Sequence, residues 1–215
     1  MKILFNFDDE ARRTEVVATP DPYESHQLNP VIVYGTPKLR NPDRLYVATA
    51  LLFRGLISGP ITIETVEPCS RHVALEIERY FTPFDVFVAQ QTVTPRGCAD
   101  GALRALLSCS RDFRSEHRDF NPQRGDTLFR LVPEGVGAVF SEHELVLGTN
   151  ILTDADAPEK SVSGFSSLVG AMVLFCEDFQ IRDIRIPPAW TAIIAPNVIE
   201  NTRRLLSVVS LHLEA

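Results

Sequence analysis

The sequence predicts an α/β (α+β) fold in a single domain, and two stretches of the chain carry this prediction. Residues 43–81 have the pattern of a helix, a Gly-Pro turn, a short strand and a second helix. Residues 160–214 follow the same order, and the strand starts at Ile61 and Ile181 lie 120 residues apart, which fits two periods of about 60 residues. We therefore expect about three βαβ-type repeat units, over approximately 31–93, 94–143 and 144–215.

Composition limits the classes of function. The chain has 215 residues, 45% hydrophobic and 23% charged, which is enough to bury a sizeable core. Its net charge of -7 argues against a dedicated nucleic-acid binder, because such proteins gain affinity by neutralising phosphates. No apolar run reaches the roughly 18 residues of a membrane-spanning helix, and the N-terminus lacks the long apolar core of a signal peptide. We expect a cytoplasmic protein that binds neither a membrane nor nucleic acid.

The first half of the chain alternates between strand and helix patterns. Helices are expected over about 43–56 and 71–81. Asn41 or Asp43 can cap the first of them, with Pro42 in its first turn. The apolar residues of helix 43–56 wrap most of its circumference, which predicts that it lies buried between layers. Strands are expected where apolar and β-branched residues alternate, over 2–7, 12–19, 31–35 and 61–66.

The second half is less regular in its middle. A strand is expected over 84–93, and the segment ADGALRALLSC predicts a helix over 99–109. The final third again alternates clearly between the two types. Its predicted helices are 160–176 and 196–207, and its predicted strands are 127–132, 136–140, 144–151, 179–186 and the closing SLHLE.

The spacing of cysteine, histidine and glycine predicts neither a metal site nor a cofactor. The cysteines form no CxxC pair, the five histidines are dispersed, and the glycines match no phosphate-binding loop. A disulfide framework is not expected in a chain of this size, so the thiols are interpreted as buried or incidental. The four are Cys69, Cys98, Cys109 and Cys176.

Short motifs at the predicted helix starts resemble those of the enolpyruvyl transferases. The C-terminal stretch has Lys-Ser-Val-Ser at 160–163 before an apolar helix, and then the strand FQIRDIRI. The first stretch has Arg44, the segment ATALLFRGLISGPITI, and then Cys-Ser-Arg-His at 69–72. The pattern is similar to that of enolpyruvylshikimate-phosphate synthase and UDP-N-acetylglucosamine enolpyruvyl transferase, and it covers roughly half of the chain. The resemblance implies three repeats, with helices packed inside against surrounding sheets.

The resemblance also implies a function and a set of site residues. It implies that the domain binds an anionic, phosphorylated or carboxylated small molecule and takes part in enolpyruvyl transfer from phosphoenolpyruvate. Basic side chains and hydroxyls at helix N-termini suit anions, because backbone N–H groups and the helix dipole assist there. The serines could equally be caps of their own helices. The implied substrate-binding residues are Lys160, Ser161, Ser163, Ser70, Arg71 and Arg44, while the catalytic residues are left unassigned.

Two alternatives stay open beside the transferase. In that family the active site lies between two such domains, which predicts a homo-oligomer or a partner subunit that completes the cleft. A non-catalytic binding or assembly subunit would keep the fold without the active site. RNA terminal phosphate cyclase shares the repeat, and its Pro-Arg-Gly tract resembles Thr-Pro-Arg-Gly at 94–97.

Overall fold

Helices and strands mix throughout the fold, which confirms the predicted α/β class. The computed structural model describes residues 1–20, 29–64, 66–94, 96–99, 101–109, 126–135, 137–152 and 161–215. Within these ranges the helices are α1 (Pro42–Leu52), α2 (Arg71–Phe81), α3 (Val162–Val173), α4 (Pro188–Thr191) and α5 (Pro196–Ser207).

Most strands belong to one large mixed sheet. The strands are β1 (Lys2–Asp8), β2 (Arg13–Thr19), β3 (Val31–Tyr34), β4 (Thr62–Ile63), β5 (Cys69–Ser70), β6 (Gln91–Thr92), β7 (Leu103–Cys109), β8 (Asp126–Pro133), β9 (Ala138–Phe140), β10 (Glu144–Thr149), β11 (Ile181–Arg185) and β12 (His212–Glu214). The sheet has the order β12-β11-β7-β8-β10-β3-β2-β1-β4, with β9 paired to β10, while β5 and β6 form a separate pair.

The large sheet has a parallel half and an antiparallel half. Strands β12, β11, β7, β8 and β10 run parallel to one another. The order β10-β3-β2-β1 is antiparallel, and β4 adds to β1 in parallel. The two halves meet where β10 lies beside β3, so the loop after β3 leaves the sheet next to its parallel half.

The predicted helix over 99–109 is wrong, because Leu103–Cys109 is strand β7. Its Leu, Ala and Arg residues favour a helix locally, but β7 lies between β11 and β8 and pairs with both. Pairing on both edges outweighs a weak local preference. The predicted strand over 84–93 is much shorter, since only Gln91–Thr92 forms a strand and Val88 makes a single bridge to Ile61.

Helix α1 lies in the core, as its all-round apolar pattern predicts. Every residue from Asp43 to Leu52 is buried. The Asn41 side chain accepts hydrogen bonds from the backbone N–H groups of Asp43 and Arg44, at 3.0 and 3.5 Å, and Pro42 is the first helical residue. Of the two predicted caps, Asn41 is the one that caps α1, and the helix that follows is buried on all sides.

Helix α1 packs closely against α3, and the two helices run in opposite directions. A Cβ atom at Gly170 would lie 3.0 Å from the Ala48 carbonyl oxygen and from side-chain atoms of Leu51 and Leu52. The Ser167 hydroxyl donates to the Leu52 carbonyl at 3.0 Å. Glycine at position 170 thus allows backbone-to-backbone contact, and it places the start of α1 beside the end of α3.

In the described part of the chain, the longest helices have 12 residues, and none is both long and apolar enough to cross a bilayer.

Replacing Gly170 with alanine tests the close contact between α1 and α3. We expect Gly170→Ala to lower the free energy of unfolding by about 1–3 kcal/mol, because the added methyl meets a backbone oxygen that cannot move aside. Helix propensity alone would change stability by about 1 kcal/mol in the opposite direction. The control is Gly55→Ala, whose Cβ would meet only Ser163 at an ordinary 3.5 Å. Equal urea midpoints for both variants would contradict the packing argument.

Candidate functional site

The loop that joins β3 to α1, residues 35–40, forms one wall of a cavity. It begins at Gly35, which has a φ of +148°, a conformation that side chains rarely adopt. A Cβ atom there would lie 3.0 Å from the Phe175 ring. Glycine therefore serves both the backbone conformation and the close approach of the loop to the residues that follow α3.

The carboxylate of Asp178 fixes this loop in place. The backbone N–H groups of Lys38 and Leu39 donate to its two oxygens, at 2.7 and 2.8 Å. One carboxylate thus satisfies two adjacent backbone donors, and such charge-assisted bonds are stronger than neutral ones. Because both oxygens of Asp178 are used in this way, the loop is held in position before any ligand arrives.

The Lys38 cavity, as we name the space beside loop 35–40, has a volume of about 830 Å³. This volume lies within the range of roughly 300–1,000 Å³ found for small-molecule sites. Its lining combines cationic, acidic and aromatic side chains, and the acidic residues are Asp9 and Asp178. The cations are Arg12, Lys38 and Arg40, and the aromatic residues are Phe140, Phe175 and Phe179.

The three cations differ in their partners. Arg40 pairs with Asp9 at 3.4 Å and lies over the Phe7 ring at 4.0 Å, so its charge is already partly compensated. Among the residues that the structure describes, neither Arg12 nor Lys38 has an ion-pair partner. The cavity therefore holds two side chains whose positive charge is available to an anion.

A second cavity of about 520 Å³ adjoins the first at Arg40, which lines both. We name it the Arg96 cavity. Arg96 forms an ion pair with Glu67 there, and Phe7 and Leu45 contribute apolar surface. Its arginines both have carboxylate partners, so it offers an anion less free charge than the Lys38 cavity.

Two of the residues implied by the resemblance, Arg44 and Ser70, lie close together near the start of α1. The Ser70 backbone N–H donates to the Asp43 carboxylate at 2.7 Å, and its hydroxyl accepts from the Arg96 N–H at 3.2 Å. Arg44 is 3% exposed and donates to the carbonyl oxygens of Ala99 and Val209, at 2.8 and 3.4 Å. Both side chains are buried and have backbone partners, but the Nε and Nη1 atoms of Arg44 have no hydrogen-bond partner among the described residues.

The other implied residues lie elsewhere. Arg71 is exposed at the first position of α2. Ser161 caps α3 by accepting from the Gly164 N–H at 2.9 Å, and Ser163 is exposed in the same turn. Because α1 and α3 are antiparallel, these serines lie at the opposite end of α1 from Arg44, about 16 Å away along a helix of 11 residues. Lys160 lies outside the described residues.

The sequence offered only a partial signal for the residues that line the Lys38 cavity. Lys38 and Arg40 belong to the segment GTPKLR, which turn residues mark as a loop ahead of a helix cap. The role of Asp178 has no local signal, because its partners lie 139 and 140 residues away in the chain.

The thiols near the start of α1 are held protonated by burial. Desolvation raises the pKa of Cys176 to about 12, against a smaller lowering by Arg44. Desolvation likewise raises the pKa of Cys98 to about 11, and burial together with the Asp43 charge raises that of Cys69. All four cysteines are free thiols. In the described ranges, no group of three or more His, Cys, Asp or Glu residues could hold a metal ion.

Comparisons of the chain with protein-family models, with curated proteins and with solved structures find no significant match. The resemblance to the enolpyruvyl transferases therefore stays a prediction.

Replacing Asp178 with asparagine tests the anchoring of loop 35–40. We expect the amide hydrogens of Lys38 and Leu39 to exchange at least about tenfold faster in Asp178→Asn, because a charged acceptor contributes roughly 1.5–3 kcal/mol and the amide turns a donor toward one N–H group. Hydrogen exchange followed by NMR measures this. The Ala11 amide, which donates to Asp8 at 2.8 Å, is the internal control and should not change. Unchanged protection at positions 38 and 39 would show that the loop is held by other contacts.

The raised thiol pKa of Cys176 predicts a loss of stability at alkaline pH. The contribution of this thiol to the free energy of unfolding is fully present below pH 9.0, the ordinary pKa of a cysteine. It is lost as the pH rises toward about 12, the pKa in the folded protein, because between these values only the unfolded chain releases the proton. In this window each such thiol contributes up to about 1.4 kcal/mol per pH unit to the decline. Urea unfolding of Cys176→Ala should show a shallower decline between pH 9 and 11 and an unchanged slope between pH 7 and 8. If Cys176→Ala and the unsubstituted protein have the same slope in both pH windows, this prediction is wrong.

Proposed function

We propose that this protein binds a small anionic molecule, phosphorylated or carboxylated, in the Lys38 cavity. The observation that carries the proposal is the pair of cations, Arg12 and Lys38, that line this cavity without an ion-pair partner among the described residues. A phosphate or carboxylate provides the partner that both lack. Arg12 can donate two parallel hydrogen bonds to such a group, and Lys38 adds a point charge.

The rigidity of the site supports the same proposal. Affinity is greater when the binding groups are ordered before the ligand arrives, because less conformational entropy is then lost on binding. The Asp178 carboxylate accepts hydrogen bonds from the backbone N–H groups of Lys38 and Leu39, and Gly35 allows the loop to lie close to the Phe175 ring. The chain therefore orders this part of the cavity without a ligand.

Enolpyruvyl transfer from phosphoenolpyruvate is the reaction that we propose for this site. Phosphoenolpyruvate has a phosphate and a carboxylate, and the cavity has two cations that could each meet one of them. The reaction also needs a group that moves a proton. Asp9 lines the same cavity and forms an ion pair with Arg40. It is therefore the first carboxylate to examine as the group that moves the proton.

A non-catalytic binding subunit is the second candidate, and the positions of Arg44 and Ser70 favour it. The family resemblance implies that these side chains contact substrate, whereas they are buried and hydrogen-bonded to the backbone. A protein that uses these positions to hold its own fold could keep an anion site and lack the chemistry.

Titration calorimetry with phosphoenolpyruvate and with inorganic phosphate tests the binding proposal. We expect Arg12→Gln and Lys38→Met each to weaken binding by about tenfold or more, because each removes a charge-assisted contact. Lys2→Met is the matched control, since Lys2 pairs with Glu64 at 3.3 Å and does not line the cavity. Absence of binding at millimolar ligand, or equal affinity in all variants, would overturn the proposal.

The same protein distinguishes the two candidates. Incubation with phosphoenolpyruvate and either shikimate 3-phosphate or a phosphosugar should release inorganic phosphate if the protein is a transferase. Binding of phosphoenolpyruvate without phosphate release from any of these mixtures favours the binding subunit. In an active protein, Asp9→Asn should reduce the release of phosphate more than it reduces affinity.

A further inference from the structure

The Lys38 cavity also contains a partly exposed aromatic surface besides its cations. Phe140 stacks on Phe179, with ring centroids 5.5 Å apart and an angle of 26° between the ring planes. Phe140 remains 49% exposed, so about half of its surface is accessible from solvent. An aromatic ring exposed to this extent in a cavity wall presents an apolar face to water, and such faces are typical of ligand sites.

The aromatic pair and the cations line the same cavity. Phe179 directly follows Asp178, and the Asp178 carboxylate binds the backbone N–H of Lys38 at 2.7 Å. Phe175 also lines the cavity; it is 1% exposed, and a Cβ atom at Gly35 would touch its ring. The volume of about 830 Å³ accommodates one small molecule in contact with both the cations and the stack.

We propose that the ligand of this cavity is an aromatic anion: a planar ring that stacks on Phe140, bearing a phosphate or carboxylate that binds Arg12 and Lys38. This inference rests on the proposed function and adds to it the chemical class of the part of the ligand that is not charged. A ring continues the existing stack in the offset geometry that aromatic pairs prefer. An aliphatic group of the same size fills the space without that interaction.

Phenyl phosphate and cyclohexyl phosphate are the probes that test the aromatic part. They have the same charge and similar size, so a difference in affinity reports on the ring. We expect phenyl phosphate to bind about fivefold tighter than cyclohexyl phosphate in titration calorimetry. Phe140→Leu should abolish this preference while leaving the affinity for inorganic phosphate unchanged. Leucine keeps an apolar side chain at an exposed position, so folding is not at risk.

Phe87→Leu is the matched control, because Phe87 is 44% exposed and does not line the cavity. It should keep the full preference for the phenyl ester. Equal binding of the two esters overturns the aromatic assignment, even if Phe140→Leu weakens both of them. A preference that survives in Phe140→Leu also overturns it, since the ring would then lie elsewhere.

Inorganic phosphate separates this test from that of the anion site. If inorganic phosphate and both esters fail to bind, the proposed function itself fails. If inorganic phosphate binds and depends on Lys38, whereas the esters show no difference, only the aromatic inference fails. Adenosine monophosphate and ribose 5-phosphate form a second pair with and without an aromatic base. A preference for the nucleotide that is lost in Phe140→Leu would identify the ring as a heteroaromatic base.

Discussion

The close antiparallel contact between α1 and α3 determines where the rest of the structure can lie. Glycine at position 170 allows the two backbones to approach until a Cβ atom would stand 3.0 Å from the Ala48 oxygen. Since the helices are antiparallel, the start of α1 and the end of α3 meet at one end of the pair. The loop before α1 carries Lys38 and Arg40, and the residues after α3 are Phe175, Asp178 and Phe179. One helix contact thus brings together both walls of the cavity.

Local sequence patterns predicted most of the helices and strands, but they did not predict which strands pair with each other. The Asn41 cap and the helix 71–81 depend on neighbours within a few residues, so their patterns can be read directly. Residues 103–109 depend on β11 and β8, which are distant in the chain, and their Leu-Arg-Ala-Leu-Leu composition favours a helix in isolation. The error at β7 therefore arises where tertiary pairing overrides local preference.

The cavity could be predicted less well than the fold, for the same physical reason. The family resemblance predicted site residues at helix starts. Ser161 does lie at a helix start, but there it caps the helix. The two cations without an ion-pair partner among the described residues are instead on a turn and a loop, Arg12 between β1 and β2 and Lys38 before α1. Whether Arg12 and Lys38 can bind a ligand depends on the residues that face them across the cavity. The bond between Asp178 and the Lys38 backbone spans 140 residues, and no short motif encodes such a contact.

Arg44 and Lys38 differ in how accessible their charges are to a ligand. Arg44 is 3% exposed, and moving a charge into such a place is costly unless it is hydrogen-bonded. The carbonyls of Ala99 and Val209 both accept from its Nη2 atom, whereas its Nε and Nη1 atoms are buried with no hydrogen-bond partner among the described residues. A ligand would have to enter the core to reach these two atoms. Lys38 is exposed and has no ion-pair partner among the described residues, so its charge is accessible from solvent. The buried arginine is thus out of reach of a ligand, whereas the exposed lysine is accessible to one.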